Sequence, residues 1–247
     1  MNLCLDLGNT RHKFSVFDKD KLVHTEVLDH FGAESFDVLK HSFPIGSVIL
    51  SSVDKPDPEL ETALKHHEKV IFFSHTTPIP IRNAYSTPET LGLDRLASAV
   101  GANARFPGQN ILVIDAGTCI KYEIVTADGT YIGGAIAPGL RMRLEAMHNF
   151  TARLPLFSPG SLEPGEELLY AGNSTRSAML SGALLGALLE AEGRVDAAAS
   201  DDAHVTVLLC GGDAAFFELH MKRQIFAAPN LVAEGLNTIL NYNLNRI

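Results

Sequence analysis

A chain of 247 residues, 46% hydrophobic and 20% charged, is long enough to bury a core in one large domain or two half-size lobes, and too mixed to be disordered or fibrous. Its formal net charge of −9, with no face reading as a run of Lys and Arg, lacks the attraction that nucleic acid demands, so no nucleic-acid partner is expected. Cys4, Cys119 and Cys210 are odd in number and far apart, at or near the ends of apolar runs, and read as reduced thiols of a cytoplasmic protein.

The predicted elements begin at once. MNLCLDLG opens on a strand, without a basic segment followed by an apolar one, so no signal peptide is expected. From Asn2 a short apolar strand (LCLDL), a Gly-Asn-Thr turn, a second strand (HKFSVF), a polar turn at Asp18-Lys19-Asp20 and a third strand (KLVHTEVL) predict a three-stranded meander. The pattern then turns helical in PELETALKHHEK, with strands at SVILSSV and VIFFSH. Adjacent His66 and His67 cannot share one helix face and read as solvated surface, and the histidines as a set show no HExxH or other ligand spacing. From Asn110 the order returns: NILVID, a turn at Gly117-Thr118, IKYEIV, a turn at Asp128-Gly129, TYIGGAIA, then the helical GLRMRLEAMHNF and the strands VTVLLCGG and QIFAAP. Asp115 follows Asp6 by 109 residues, and the later turns and strands keep nearly that offset. This predicts an α/β fold of two duplicated lobes, residues 1–108 and 109–247, with mostly parallel extensions of mixed sheets facing a central cleft. AMLSGALLGALLEA, Ala178 to Ala191, is shorter than a bilayer span and contains Glu190; it reads as a core or interface helix, and no membrane association is expected.

Asp6-Leu7-Gly8 and Asp115-Ala116-Gly117 each end a strand in a carboxylate followed by a glycine-containing turn. Backbone amides in such a turn suit phosphate oxygens, and the carboxylate suits a metal ion or its water shell. One copy alone equally fits an ordinary hairpin with Asp and Asn as turn formers; two copies in matched context favour phosphate. Gly211-Gly212-Asp213 is a third strand-to-helix turn, read either as a close backbone approach to a nucleotide or as a tight connection. Neither GxGxxG nor GxxxxGK[ST] is present, so the ATP reading rests on the paired turns.

Together these motifs resemble the superfamily of acetate and sugar kinases, Hsp70-type ATPases and actin. Within it, DLGNTRHK (Asp6 to Lys13), LGLDR (Leu91 to Arg95), DAGT (Asp115 to Thr118), GGAIAPGL (Gly133 to Leu140), TARLP (Thr151 to Pro155) and GNST (Gly172 to Thr175), in this order, resemble the type III pantothenate kinases. The resemblance implies ATP-dependent phosphorylation of pantothenate with Mg2+ and a monovalent cation, K+ or NH4+, by a homodimer with its substrate site at the subunit interface. It implies that Asp6, Leu7, Gly8, Asn9, Thr10, Arg11, His12, Lys13 and Thr118 bind ATP, with Asp6 near the metal, and that Asp115 is the monovalent-cation ligand. It places pantothenate at Tyr85, Gly92, Leu93, Asp94, Arg95 and Thr175, with Asp94 as general base. The chemistry agrees: phosphoryl transfer to a primary alcohol needs charge neutralisation and a carboxylate for the hydroxyl proton, and the planar donors of Arg95 suit an acidic substrate. Without that context Asp94-Arg95 also reads as a helix-start Asp beside a surface Arg. A non-catalytic regulatory member or a nucleotide switch of the same fold is the alternative function.

The chain departs from the family at Cys119-Ile120-Lys121, where a second Thr is more usual. Lys121 either brings a positive charge into the site and alters cation dependence or alternates outward on its strand, and the outward reading is the favoured one. Ser174 or Thr175 also reads as a helix N-cap. Along the helix that follows, Ser181, Gly182, Ala183, Gly186 and Ala187 form a small-residue surface that suits dimer packing and intrachain packing equally.

Overall fold

The structure is a computed structural model, and it describes residues 1–8, 11–52, 58–163, 165–199 and 204–246. In chain order these form β1 (Asn2–Leu7), β2 (His12–Asp18), β3 (Lys21–Leu28), α1 (Ala33–Ser42), β4 (Ser47–Ser52), α2 (Pro58–Lys65), β5 (Val70–Phe72), β6 (Arg82–Asn83) and α3 (Leu93–Arg105). They continue with β7 (Asn110–Ala116), β8 (Cys119–Val125), β9 (Thr130–Pro138), α4 (Leu140–Asn149), α5 (Thr175–Leu180), α6 (Gly186–Ala198), β10 (Val205–Cys210), α7 (Ala214–His220), β11 (Phe226–Ala227) and α8 (Leu231–Leu244). A single π turn, Ser181–Leu185, joins α5 to α6. Both meanders appear where the sequence predicts them, and the fold is mixed α/β with two mixed sheets.

The chain divides into two compact units: Met1–Gly108 with Val125–Gly133 and Asn230–Ile247, and Gln109–Ile124 with Gly134–Pro229. In the first unit the sheet order is β3-β2-β1-β4-β5. The meander is antiparallel, and β4 and β5 add in parallel. β1 is buried along most of its length, as a strand covered on both faces must be, while β3 alternates and stays largely exposed at the edge. The core gathers Leu3, Leu5, Phe14, Val16, Phe31, Phe36, Leu60 and Leu64, each buried side chain of this size contributing about 1.5–3 kcal/mol. α8 packs on α3 without side chains at the crossing: a Cβ at Gly235 would lie 1.8 Å from the Ala97 carbonyl oxygen, and one at Gly101 would lie 2.6 Å from that of Leu231. The short β6 pairs in parallel with the first residues of β9, Arg82 with Thr130 and Asn83 with Tyr131.

The second unit repeats the order as β9-β8-β7-β10-β11, with β10 parallel to both β7 and β11. Its core runs through Leu112, Ile114, Ile120, Tyr122, Leu144, Leu184, Leu209 and Phe217. Each leading aspartate is thus the penultimate residue of an inner strand of its sheet, Asp6 on β1, the third of five, and Asp115 on β7, the third of six once β6 is counted beside β9. In open α/β sheets, ligands bind at that carboxyl end, where connections leave in opposite directions. Cys4 and Cys210 are buried and Cys119 half-buried, all as free thiols. Among the described residues no helix is long and apolar enough to cross a membrane.

Candidate functional site

In the first unit, Asp6 is registered against Lys13 on β2 and Ser51 on β4. The β1–β2 hairpin closes with the Gly8 N–H donating to the Arg11 carbonyl (3.1 Å), and a Cβ on Gly8 would press on that same oxygen at 3.1 Å. Asn9 and Thr10, expected to bind ATP, lie outside the described residues. Arg11 is exposed. The Lys13 ammonium donates to Asn230 Oδ1 (2.9 Å), at the N-terminus of α8, which fixes the direction of its stem. His12 Nδ1 accepts from the Phe31 N–H (2.8 Å), which places the ring proton of the neutral form on Nε2. Burial, with the neighbouring His30 adding to it, pushes the His12 pKa down.

A second cluster forms where α3 begins. Gly92 is its N-cap, and Asp94 stands in the first turn, where the helix dipole favours a carboxylate. The Asp94 side chain folds back so closely that a Cβ on Gly92 would lie 2.6 Å from its Oδ1. Arg95 is not a surface residue: it is 6% exposed, and its guanidinium carbon lies 5.6 Å from the centre of the Tyr85 ring. The ring in turn stacks on Tyr131 (6.2 Å between centroids, 18° between planes) and covers Gly133, whose φ of +105° and 3.2 Å approach to the ring admit no side chain. Asn83 Oδ1 accepts from the Tyr85 N–H (3.0 Å) just beyond β6. Tyr85, Gly92, Leu93, Asp94 and Arg95, expected at one substrate, are thus drawn together by the start of α3 and the β6–β9 pairing. Gly133, which the sequence marks only as the first residue of GGAIAPGL, and Tyr131, which it does not single out, complete this cluster; the signal for Tyr131 is its place as the aromatic strand residue before that glycine pair.

In the second unit the DAGT turn is a convergence point. The Gly117 N–H donates to the Cys119 carbonyl (3.1 Å), and the Gly139 N–H donates to that of Thr118 (3.2 Å). A Cβ on Gly139, the N-cap of α4, would lie 2.4 Å from the carbonyl oxygens of both Gly117 and Thr118. From the other side Gly211, at φ +96°, approaches the backbone of Ala116, and the Asp213 N–H donates to the Ala116 carbonyl (2.8 Å). Of the two readings of this turn, the contact seen at Gly211 is that of a tight connection, made to the β7 backbone. Burial raises the Asp213 pKa, with Arg141 opposing it. Thr118 is exposed on this turn. Thr175 is the first residue of α5, and the cap is Ser174, whose Oγ accepts from the Ser177 N–H in a capping box. Ala183 and Ala187 of the small-residue surface are buried in the core of this unit, while a Cβ on Gly182 or Gly186 would meet open space.

The expectation that Lys121 alternates outward to solvent is corrected by the structure. Alternation does turn it away from the buried Ile120 and Tyr122, but on that side it meets Asp115: Nζ lies 2.6 Å from Oδ2, with the two side chains only 21% and 15% exposed. Strand period gives the face of a side chain and not what stands on it.

Comparison with known proteins identifies the family and the fold. A family model described as type III pantothenate kinase matches residues 2–197. Among curated relatives, type III pantothenate kinases of Christiangramia forsetii (42% identity, 98% of this chain, 99% of the relative) and Bacteroides fragilis (40%, 100% of both) match end to end. Among solved structures, a Campylobacter jejuni protein described as a Baf family transcriptional activator superposes with a TM-score of 0.60 at 21% identity, over 98% of this chain and 99% of that one. The activator of 2-hydroxyisocaproyl-CoA dehydratase from Clostridium difficile, solved with bound ADPNP, gives 0.53 at 14% identity over 100% and 97%. A ROK hexokinase from Thermus thermophilus gives 0.50 at 14% over 99% of both chains. These three show the fold, that of actin-like ATPases and sugar kinases. The full-length relatives and the family model show more: the chain belongs to the type III pantothenate kinase family, which transfers the γ-phosphoryl group of ATP to the primary hydroxyl of pantothenate at the entry to coenzyme A biosynthesis.

Proposed function

We propose that Asp94 is the general base of this reaction and that Tyr85, Gly92, Leu93, Arg95 and Thr175 bind pantothenate. The observation that carries the reading is the fold-back of the Asp94 carboxylate over Gly92 beside the buried Arg95–Tyr85 pair. Arg95 presents planar donors to the pantothenate carboxylate or amide. Asp94 takes the hydroxyl proton as that oxygen bonds to the γ-phosphorus and the bond to the ADP oxygen breaks.

The phosphates are held by Asp6, Leu7, Gly8, Asn9, Thr10, Arg11, His12 and Lys13 and by Thr118. The support is a tight glycine turn after each aspartate. Mg2+ takes one or two carboxylates together with phosphates and water, so a carboxylate placed as Asp6 is, at the end of β1, fits it; when bound it neutralises charge on the triphosphate. The monovalent cation expected at Asp115, K+ or NH4+, does not fit the residues present, because the Lys121 ammonium already lies on that carboxylate. The lobe division at 108/109 belongs to this reading as the boundary of the duplication.

The protein works in the cytoplasm as a homodimer. Buried free thiols support the compartment. The open backbone at Gly182, Gly186 and Gly193 and the 56% exposed Leu189, along one helix, support the partner; sedimentation at two protomer masses is the expected result. The non-catalytic and switch alternatives are not favoured in a chain whose end-to-end relatives are described as kinases. Incubation with MgATP and pantothenate tests the function: 31P NMR should show a new phosphomonoester appearing in step with ADP. ADP formation without that ester would refute it.

A further inference from the structure

We infer that Lys121 stands in for the monovalent cation at Asp115, so that phosphoryl transfer by this chain needs neither potassium nor ammonium. The inference deepens the kinase reading and rests on it. Asp115 closes β7 just before the Gly117-Thr118 turn, and Gly139 and Gly211 pack on the backbone of that turn. A carboxylate so placed, 15% exposed, requires a positive partner. The chain supplies one covalently: an ammonium at 2.6 Å, on the strand that leaves the same turn. Its charge equals that of a potassium ion, and its chemistry is that of a tethered ammonium ion. A free cation entering beside it would face a carboxylate already neutralised and a like charge in contact with it. In the first unit a lysine also stands one strand beyond the aspartate, Lys13 being registered against Asp6, and there its ammonium donates to Asn230 Oδ1. A lysine one strand beyond each leading aspartate is therefore a feature of both copies in this chain.

The test uses the full-length protein with MgATP and pantothenate at constant ionic strength in tetramethylammonium, potassium or ammonium chloride. ADP is measured directly by chromatography, so that no coupling enzyme imposes its own cation need. The wild type should turn over equally in all three salts. Lys121→Thr should be slower than wild type by about tenfold or more in tetramethylammonium and recover in potassium or ammonium, a response that a merely structural lysine would not produce. Melting temperature gives a second readout: replacing tetramethylammonium by potassium should leave the wild type unchanged and raise Lys121→Thr, since an ion that binds only the folded state stabilises it. A wild type that needs potassium, or that is stabilised by it, would overturn the inference, as would Lys121→Thr matching the wild type in tetramethylammonium. If Lys121→Thr is inactive in every salt, the wild-type comparison and the melting temperatures decide. Absence of pantothenate-dependent ADP release by the wild type in every salt would refute the kinase reading instead, and the melting temperatures would still decide the cation question.

Discussion

The guanidinium of Arg95 lies 5.6 Å from the centre of the Tyr85 ring, and both side chains belong to the pocket proposed for an acidic substrate. A ring beneath a guanidinium holds it flat and is worth about 0.5–2 kcal/mol. Tyr85→Ala should therefore raise the KM for pantothenate by roughly 2- to 30-fold with a smaller change in kcat, while Tyr85→Leu restores bulk without the ring quadrupole and recovers little. Steady-state kinetics at saturating MgATP measure both.

Gly92→Ala addresses the base. The backbone of Gly92, φ −57°, accepts alanine, but the new methyl would lie 2.6 Å from Asp94 Oδ1 and must displace the carboxylate. A displacement of this kind costs on the order of 10²-fold in kcat/KM. The melting temperature should fall only slightly, because Gly to Ala at an N-cap costs about 1 kcal/mol or less. Loss of activity in step with loss of folded protein would contradict the assignment.

Gly235→Ala separates fold from chemistry. Its methyl would lie 1.8 Å from the Ala97 carbonyl oxygen, a backbone atom that no rotamer change can move. Overpacking of this kind costs about 1–3 kcal/mol or more, and at roughly 2–4 °C per kcal/mol the melting temperature should drop by several degrees. Differential scanning calorimetry gives the answer.

The placement of α8 was the least legible part of the sequence, and Gly235 shows why. Read along the chain, LVAEGLNTILNYNL is a helical pattern interrupted by glycine; only against Gly101 of α3 does that glycine become the reason the two helices cross so closely. The two meanders were legible because period-two apolar runs and turn residues are local signals, and the offset of 109 between Asp6 and Asp115 carries the same β order through both sheets. The Asp94-Arg95 pair was legible as chemistry. The burial of Arg95 under Tyr85 depends on the β6–β9 pairing, 48 residues apart at Arg82 and Thr130, as their side-chain hydrogen bond records. Gly139 and Lys121 illustrate the same boundary: each acts on the DAGT turn through a contact that spacing alone does not specify.

Acid should destabilise the β1–β2 hairpin through His12. Its pKa is lowered from 6.5, first by burial and then by His30, and the unprotonated Nδ1 accepts the Phe31 N–H. The unfolded chain therefore binds the proton more readily. The stabilisation is complete above pH 6.5 and is lost as pH falls through the lowered folded value. Urea midpoints should decrease from pH 7.5 to pH 5.5 (about one unit either side of the unperturbed pKa), and His12→Asn, which keeps an acceptor without a titrating ring, should show a shallower decrease.

Asp94→Asn provides the most direct measurement. ADP release from MgATP is followed with and without pantothenate for the wild type and the variant at matched folded concentration. The wild type should release ADP only with pantothenate, and the variant should lose about 10²- to 10⁴-fold of that rate, with little change in melting temperature. Turnover that ignores pantothenate and survives Asp94→Asn would contradict the account.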